Sequence, residues 1–202
     1  MQRYDHDIIV SLIPAGSRVL DLGCGNGDLL LKLKRSGIKD IRGVEINDHC
    51  IAACVRKGLT VFHGDVDEGL SDYGDASFDY VVLNQTLQVV QKPTLVINEM
   101  LRVGSRAIVS FPNFGYFKIR WQLLSKGQMP KVDFLPYDWY DTSNIHLSTI
   151  SDFEVFCKTR GIVVEQLIGL RSCATGKTAR HFQNLLSQVG IFVITSKPQI
   201  SN

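Results

Sequence analysis

Residues 19–27 read VLDLGCGNG, an apolar run interrupted by Asp21 that passes into Gly23, Gly25 and Gly27, three glycines spaced two apart. The run belongs to a predicted strand over 18–22 (RVLDL). The residues after the glycines, 28–35 (DLLLKLKR), place Leu29, Leu30 and Leu33 on one face of a helix that Gly37 closes. The glycines therefore sit in the loop at the strand's carboxyl end, which is where open α/β sheets bind ligands. Glycine permits positive φ and close approach of backbone to a ligand, and a helix N-terminus offers free N–H donors. A tight turn alone would also use glycines, so the neighbouring sequence has to decide.

Working outward, strand-like and helix-like segments alternate. Strands are predicted over 41–46, 60–63, 78–83 and 107–111, and helices over 48–56, with Asp48 as N-cap and Gly58 as stop, and over 92–101. This is the rhythm of βαβ units and predicts an α/β fold with a doubly wound, mostly parallel sheet. After Pro112-Asn113 the rhythm breaks. Residues 114–149 hold 8 of the chain's 18 aromatic residues and both tryptophans, which marks an insertion rather than another βα unit. Regularity resumes with Ser151 as N-cap of a helix over 152–159, Gly161 as its stop, a strand over 163–168, a short helix around 179–188 and a last strand over 191–195; residues 197–202 are expected to fray. At 202 residues the length predicts a single domain over 1–202, carrying the insertion.

Composition excludes more than it identifies. With 22 Lys and Arg against 20 Asp and Glu, the net charge of +2 lacks the strongly basic footprint of a nucleic-acid binder. The sum conceals an asymmetry: residues 1–113 carry 12 basic and 14 acidic groups, whereas 114–202 carry 10 and 6. No apolar run approaches the ~18–20 residues of a spanning helix, so no membrane role is expected. The start, MQRYDHD, places two acids where a secretion signal needs a basic and then an apolar stretch, which points to the cytoplasm. Cys24, Cys50, Cys54, Cys157 and Cys173 are odd in number and lack metal-ligand spacing, so they are expected to be reduced packing thiols, with no metal site.

Two acids stand at informative distances from the glycine loop. Glu45, at the end of the second predicted strand, can accept both hydroxyls of a ribose. Asp65, after Gly64 at the end of the third, can accept a hydrogen bond from the exocyclic amine of adenine. Together with the loop they outline an adenosine. A dinucleotide fingerprint would be GxGxxG, but here the pattern is GxGxG and position 28 is Asp, whose carboxylate on the first helical turn would repel a pyrophosphate. The zwitterionic S-adenosylmethionine fits better, with Asp21 and Asp28 available to its cationic groups.

In these residues the sequence resembles the class I S-adenosylmethionine-dependent methyltransferases. VLDLGCGNG matches their first motif, Glu45 in GVEI the second-strand acid, Gly64-Asp65 the third-strand acid, and FDYVVLNQTLQ (78–88) the fourth-strand motif. The resemblance implies a Rossmann-like, seven-stranded sheet of order 3-2-1-4-5-7-6 with strand seven antiparallel. It also implies that Asp21, Gly23, Cys24, Gly25, Glu45, Ile46 and Asp65 hold S-adenosylmethionine or its product S-adenosylhomocysteine, with Val66 beside the adenine and Asn84 near the methionine portion. The connection before the last strand departs from the family's short hairpin by being about twenty residues long. A narrower resemblance, carried by GDVDEGL (64–70), LNQTLQ (83–88), SFPNFGYFKIRWQLLSKGQMP (110–130) and LPYDWYDTSNIHLSTISDF (135–153), is to the MetW family of methionine biosynthesis proteins. It implies homoserine O-acyltransferase as a partner.

Methyl transfer from an activated donor can proceed by alignment alone, so no catalytic base is obligatory. Where an acceptor needs one, His146 with Asp141 and Tyr140 nearby in sequence forms the local candidate set, the alternative being a hydrogen-bonded structural histidine. His6, His49, His63 and His181 have less to recommend them. The aromatic insertion reads equally as a lid or a docking surface, and after these as a small core under a loop. Two functions therefore stand open: a methyltransferase, or a non-catalytic partner of homoserine O-acyltransferase.

Overall fold

The computed structural model describes residues 4–172 and 175–196. In chain order the elements are α1 (Tyr4–Leu12), β1 (Arg18–Leu22), α2 (Asp28–Arg35), β2 (Asp40–Glu45), α3 (Asp48–Arg56), β3 (Val61–His63), a 3-10 turn (Val66–Glu68), β4 (Phe78–Asn84), α4 (Pro93–Val103), β5 (Gly104–Pro112), α5 (Phe117–Lys126), α6 (Ile150–Thr159), β6 (Val163–Leu170), β7 (Thr178–Ala179), α7 (Gln183–Leu186) and β8 (Val189–Thr195). One sheet contains all eight strands in the order β3-β2-β1-β4-β5-β8-β6-β7. Strands β1 to β5 pair in parallel, and β8 is antiparallel to both β5 and β6. The expected seven-strand order is present, with β8 standing between β5 and β6 where that order has its antiparallel strand seven. The eighth strand is the two-residue β7, which pairs with Gly169 and Leu170 at the edge of β6.

Period-two alternation on the central strands builds the core. On β4, Tyr80 and Val82 face one layer with α1 and α2, while Val81 and Leu83 face the other with α4 and α6. Ile108 and Val109 divide β5 in the same way, and all three of Val81, Val82 and Leu83 are fully buried. Strands covered by helices on both faces read as continuous apolar runs, which is why FDYVVLN and RAIVSF were recognisable. Order reverses between β1 and β4, whose Asp21 and Val82 are register partners, and this switch point fixes where a ligand crevice opens.

Several local expectations are corrected. The N-cap of α3 is Asn47 rather than Asp48: Asn47 is extended, and its Oδ1 accepts the N–H groups of His49 at 3.0 Å and Cys50 at 3.2 Å. The cap of α6 is Thr149 rather than Ser151, because Thr149 and Asp152 form a reciprocal capping box. The predicted helix around 179–188 shrinks to α7, since Ala179 is drawn into the sheet against Gly169. Helix α1 has no counterpart among the predicted elements; it covers the sheet through Ile9, with Ile13 just past its end in the same core. The expected frayed tail, 197–202, and Cys173 lie outside the described residues. Cys24, Cys54 and Cys157 are buried free thiols, and Cys50 is half-buried.

The boundary at Asn113 has a physical basis. This fully buried amide donates to the carbonyls of Asn184 and Ser187, both at 2.8 Å, and its Oδ1 accepts from Gly115 at 3.0 Å and Ile150 at 3.2 Å. One side chain thus fastens both ends of the insertion to α7. Within the insertion, α5 buries Ile119 alone.

Candidate functional site

The glycine loop is held by the end of β2. Gly23 and Cys24 donate their N–H groups to the Val44 carbonyl at 2.8 and 3.2 Å, and Gly25 donates to Glu45 Oε2 at 2.7 Å. The other oxygen of Glu45 accepts from Ile46 and Asn47, both at 3.0 Å. This carboxylate, only 8% exposed, therefore ties the loop to the start of α3. Positive φ is required at Gly23 (66°) and Gly25 (54°). A Cβ on Gly23 would stand 2.8 Å from Thr86 Cγ2, whereas one on Gly25 would meet nothing within 4 Å. The backbone at Gly25 thus borders open space, as a cradle for a ligand must.

Two clefts flank Gly23 and Thr86. The first, of about 300 Å³, is lined by Asp21, Gly23, Cys24 and Gly25 from the loop side and by Asn84, Gln85 and Thr86 from beyond β4. The second, of about 390 Å³, is lined by Glu45 and Ile46 at the end of β2, by Asp65 and Val66 after β3, and by Val89 to Gln91. All nine residues expected to hold a cofactor line one cleft or the other. Asp65 caps the 3-10 turn by accepting from Asp67 at 2.9 Å, and Asp67 in turn accepts from the N–H groups of Gln91 and Lys92, closing the far wall. Asn84 accepts a hydrogen bond from the hydroxyl of Ser110, whose oxygen also accepts from Gln85 N at 3.1 Å. Gln85 itself is held at φ 55°.

Electrostatics refine the loop's chemistry. Asp28 lines the first cleft together with Asp21, which is 2% exposed, and the Asp28 carboxylate pairs with Lys57 Nζ at 2.8 Å. Burial, with Asp21 nearby, pushes the Cys24 thiol well above its ordinary range, and burial also raises Cys54. Both are therefore neutral packing groups; Cys54 Sγ contacts the Gly25 carbonyl at 3.2 Å. Among the described residues no cluster of three or more His, Cys, Asp or Glu is placed to hold a metal, and no helix is long and apolar enough to cross a membrane.

The three catalytic candidates do not converge. Tyr140 is 72% exposed and stacks edge-on against Trp139, and Asp141 is also exposed. His146 lines a separate cavity between α4 and α6, because Ile145 and His146 both donate to the Gln88 carbonyl and carry the chain away from Tyr140. His6, which has less to recommend it from the sequence, is buried and lines the first cleft with Asp21. Its spacing from Ile9 and Ile13, three and seven residues on, was the available signal of a buried helix face.

The family profile described as "Methionine biosynthesis protein MetW" matches residues 3–194. The chain belongs to the MetW family. A curated relative, the bifunctional methionine biosynthesis protein MetXA/MetW of Rhodopirellula baltica, is 38% identical over 171 residues, covering 80% of this chain and 27% of that protein. A ribosomal protein L11 methyltransferase of Burkholderia lata is 29% identical over 99 residues, 48% of this chain and 33% of its own length. The MetW chain thus spans about a quarter to a third of these two relatives. Among solved structures, a SAM-dependent methyltransferase from Thermotoga maritima superposes with a TM-score of 0.68 at 18% identity, over 97% of this chain and 90% of that one. The fold is that of the class I methyltransferases.

Proposed function

We propose that this MetW-family chain binds S-adenosylmethionine or S-adenosylhomocysteine across the two clefts and acts in the cytoplasm as a methyltransferase of methionine biosynthesis. The observation that carries this is the pair Glu45 and Asp65 lining one cleft, joined at Gly23 to a second cleft containing Asp21 and Asn84. In this reading Glu45 accepts the ribose hydroxyls with the lone pairs its three backbone donors leave free, and Asp65 accepts from the adenine amine beside Val66. Cys24 and Ile46 complete the walls, while Gly23 and Gly25 bring backbone to the ligand and Asp21 and Asn84 face its amino-acid end. Bound there, S-adenosylmethionine supplies an activated methyl group. The protein's part is to orient donor and acceptor and exclude water. Calorimetric titration with S-adenosylhomocysteine tests the site: saturable one-to-one binding, weakened by Asp65→Ala, supports it, and the absence of binding heat at any concentration to 1 mM (about ten times a modest Kd of ~0.1 mM) refutes it.

A second reading rests on α5. Phe117, Trp121 and Leu124 lie at i, i+4 and i+7 and are 43%, 67% and 81% exposed, and every charge on the helix is positive. Aromatic and arginine-rich apolar patches mark protein interfaces. The relative from Rhodopirellula baltica carries MetXA and MetW in one chain. Homoserine O-acyltransferase is accordingly the partner we assign to this face. Size-exclusion of the mixed proteins is the test: a complex lost on Trp121→Glu supports the assignment, and separate elution of the wild-type proteins sinks it.

A further inference from the structure

The turn 85–88 follows β4 and stands between the first cleft and the returning end of the insertion. Gln85, at its start, is held at φ 55°, in the left-handed region that a residue with a long side chain seldom adopts. Such a conformation costs free energy and persists only where its surroundings over-determine it. Here hydrogen bonds do so on both sides of the residue. The Gln85 N–H reaches the carbonyl and the hydroxyl of fully buried Ser110, at 3.0 and 3.1 Å, and the Gln85 carbonyl accepts from Gln88 Nε2 at 2.7 Å. Gln85 lines the first cleft, and its own side-chain amide makes no hydrogen bond among the described residues.

Gln88, at the other end of the turn, lines neither cleft. Its backbone carbonyl accepts from Ile145 at 2.9 Å and from His146 at 3.0 Å. One residue therefore grips Gln85 with its side chain and the insertion with its backbone. Packing does not account for this side chain. Gln88 is buried, and its Oε1 has no hydrogen-bond partner among the described residues, a cost that an apolar side chain of the same shape would avoid. What the amide contributes is its bond to Gln85.

We infer that Gln88 is a positioning residue: it fixes the β4 wall of the first cleft through Gln85 and ties that wall to the insertion, so that occupancy of the cleft and the seating of residues 145–146 are coupled. For the ligand that occupies the cleft, the inference rests on the adenosyl reading above. Coupling of this kind is reciprocal. A ligand that holds Gln85 in place slows opening at the end of the insertion, and loosening that end weakens the ligand by the same factor.

Gln88→Met, close in shape and lacking the N–H donor, is the test, read by amide hydrogen exchange and by calorimetric titration with S-adenosylhomocysteine. In the ligand-free chain the amides of Gln85, Ile145 and His146 should exchange about three- to tenfold faster than in wild type, the worth of one hydrogen bond, while those of β1 and β2 keep their protection. Affinity for S-adenosylhomocysteine should fall by a similar factor, although Gln88 lines neither cleft. Gln85→Gly supplies the readout that a purely structural role would not move. Glycine adopts φ 55° without strain, so adding Gln88→Met to it should change exchange at Ile145 and His146 by less than about twofold. Unaltered exchange at the three amides in Gln88→Met, or equal effects of Gln88→Met with and without Gln85→Gly, overturns the inference. Unchanged affinity beside accelerated exchange overturns it too, as does a Gln88→Met chain that fails to fold, since packing would then need the amide. A wild-type chain that binds no S-adenosylhomocysteine refutes the adenosyl reading alone, and the exchange results still decide the role of Gln88.

Discussion

Glu45→Gln separates what the glutamate does for the fold from what it does for a ligand. In the folded chain the carboxylate accepts three backbone N–H groups, from Gly25 at 2.7 Å and from Ile46 and Asn47 at 3.0 Å. Glutamine keeps the shape and loses the charge. Its best placement leaves the carbonyl oxygen toward Ile46 and Asn47, which turns the amide NH2 against the Gly25 N–H. One charge-assisted bond, worth about 1.5–3 kcal/mol, is then lost outright, and the other two weaken from charged to neutral. The sum is roughly 2–4 kcal/mol of stability. For a chain of this length each kcal/mol moves Tm by roughly 2–4 °C, so a fall of about 4–16 °C is expected in differential scanning calorimetry without ligand. A Tm within about 1 °C of wild type refutes the argument that this side chain anchors the glycine loop, since it corresponds to well under 1 kcal/mol.

A second variant at the same position probes the proposed ribose contact. Full removal in Glu45→Ala should weaken S-adenosylhomocysteine by about 1.5–3 kcal/mol in calorimetric titration. Lost stability with unchanged affinity would keep the loop role and eliminate the ribose role; the reverse would show that the three backbone bonds contribute little.

Asn113→Asp is nearly isosteric but replaces two N–H donors with an oxygen facing the carbonyls of Asn184 and Ser187, so a loss of about 3–5 kcal/mol is expected in urea unfolding, and a midpoint shift worth less than about 1 kcal/mol would refute the anchoring role. Glu99 accepts from Arg102 and from Leu70 N, and the Arg102 guanidinium holds its carboxyl below the usual range. That stability is present above the unfolded value of about 4.3 and is lost as pH falls through the lowered folded pKa, so Glu99→Gln should cost about 1.5–3 kcal/mol at pH 7. The gap to wild type should close in acid; a gap constant with pH contradicts the pairing. Burial raises the thiols of Cys24 and Cys54 and pushes Cys157 up to about 11, so N-ethylmaleimide at pH 8 should label half-buried Cys50 before these three, read by peptide mass spectrometry. Labelling of Cys24 ahead of Cys50 would contradict that order.

The sheet and its crevice were readable because they rest on short-range signals. Buried parallel strands leave apolar runs, positive φ leaves glycines, and an acid at the end of the next strand falls at a fixed distance from the loop. All nine proposed cofactor residues consequently gather around two clefts. Features that depend on one backbone torsion were ambiguous: Asn47 and Asp48 are both good caps, and only the extended conformation at Asn47 decides between them. The Thr149–Asp152 spacing of a capping box was present in the sequence, but the equally suitable Ser151 obscured it. The catalytic candidates are split by a contact distant in sequence. Tyr140, Asp141 and His146 are neighbours along the chain, yet the paired bonds from Ile145 and His146 to the Gln88 carbonyl turn the lid inward over α4 and α6, a long-range contact that local pattern does not encode. Helix α5 was missed because its apolar stripe faces outward, so it carries no core-facing periodicity.

That outward stripe makes sense beside Asn113. Closing the 36 residues 114–149 into a loop costs on the order of 3 kcal/mol in chain entropy. Four hydrogen bonds, three of them buried, at about 0.5–1.5 kcal/mol each are of the same size. A single amide at the root of the insertion therefore offsets closure by itself, and the segment need not bury its own aromatic residues to hold its place. Phe117, Trp121 and Leu124 are in this way free to stay exposed on α5, while the far end of the same segment reaches back over the α4–α6 cavity with His146 and Ser148. The two halves of the insertion thus divide its work: the first presents an apolar face outward, and the second packs back toward α4 and α6.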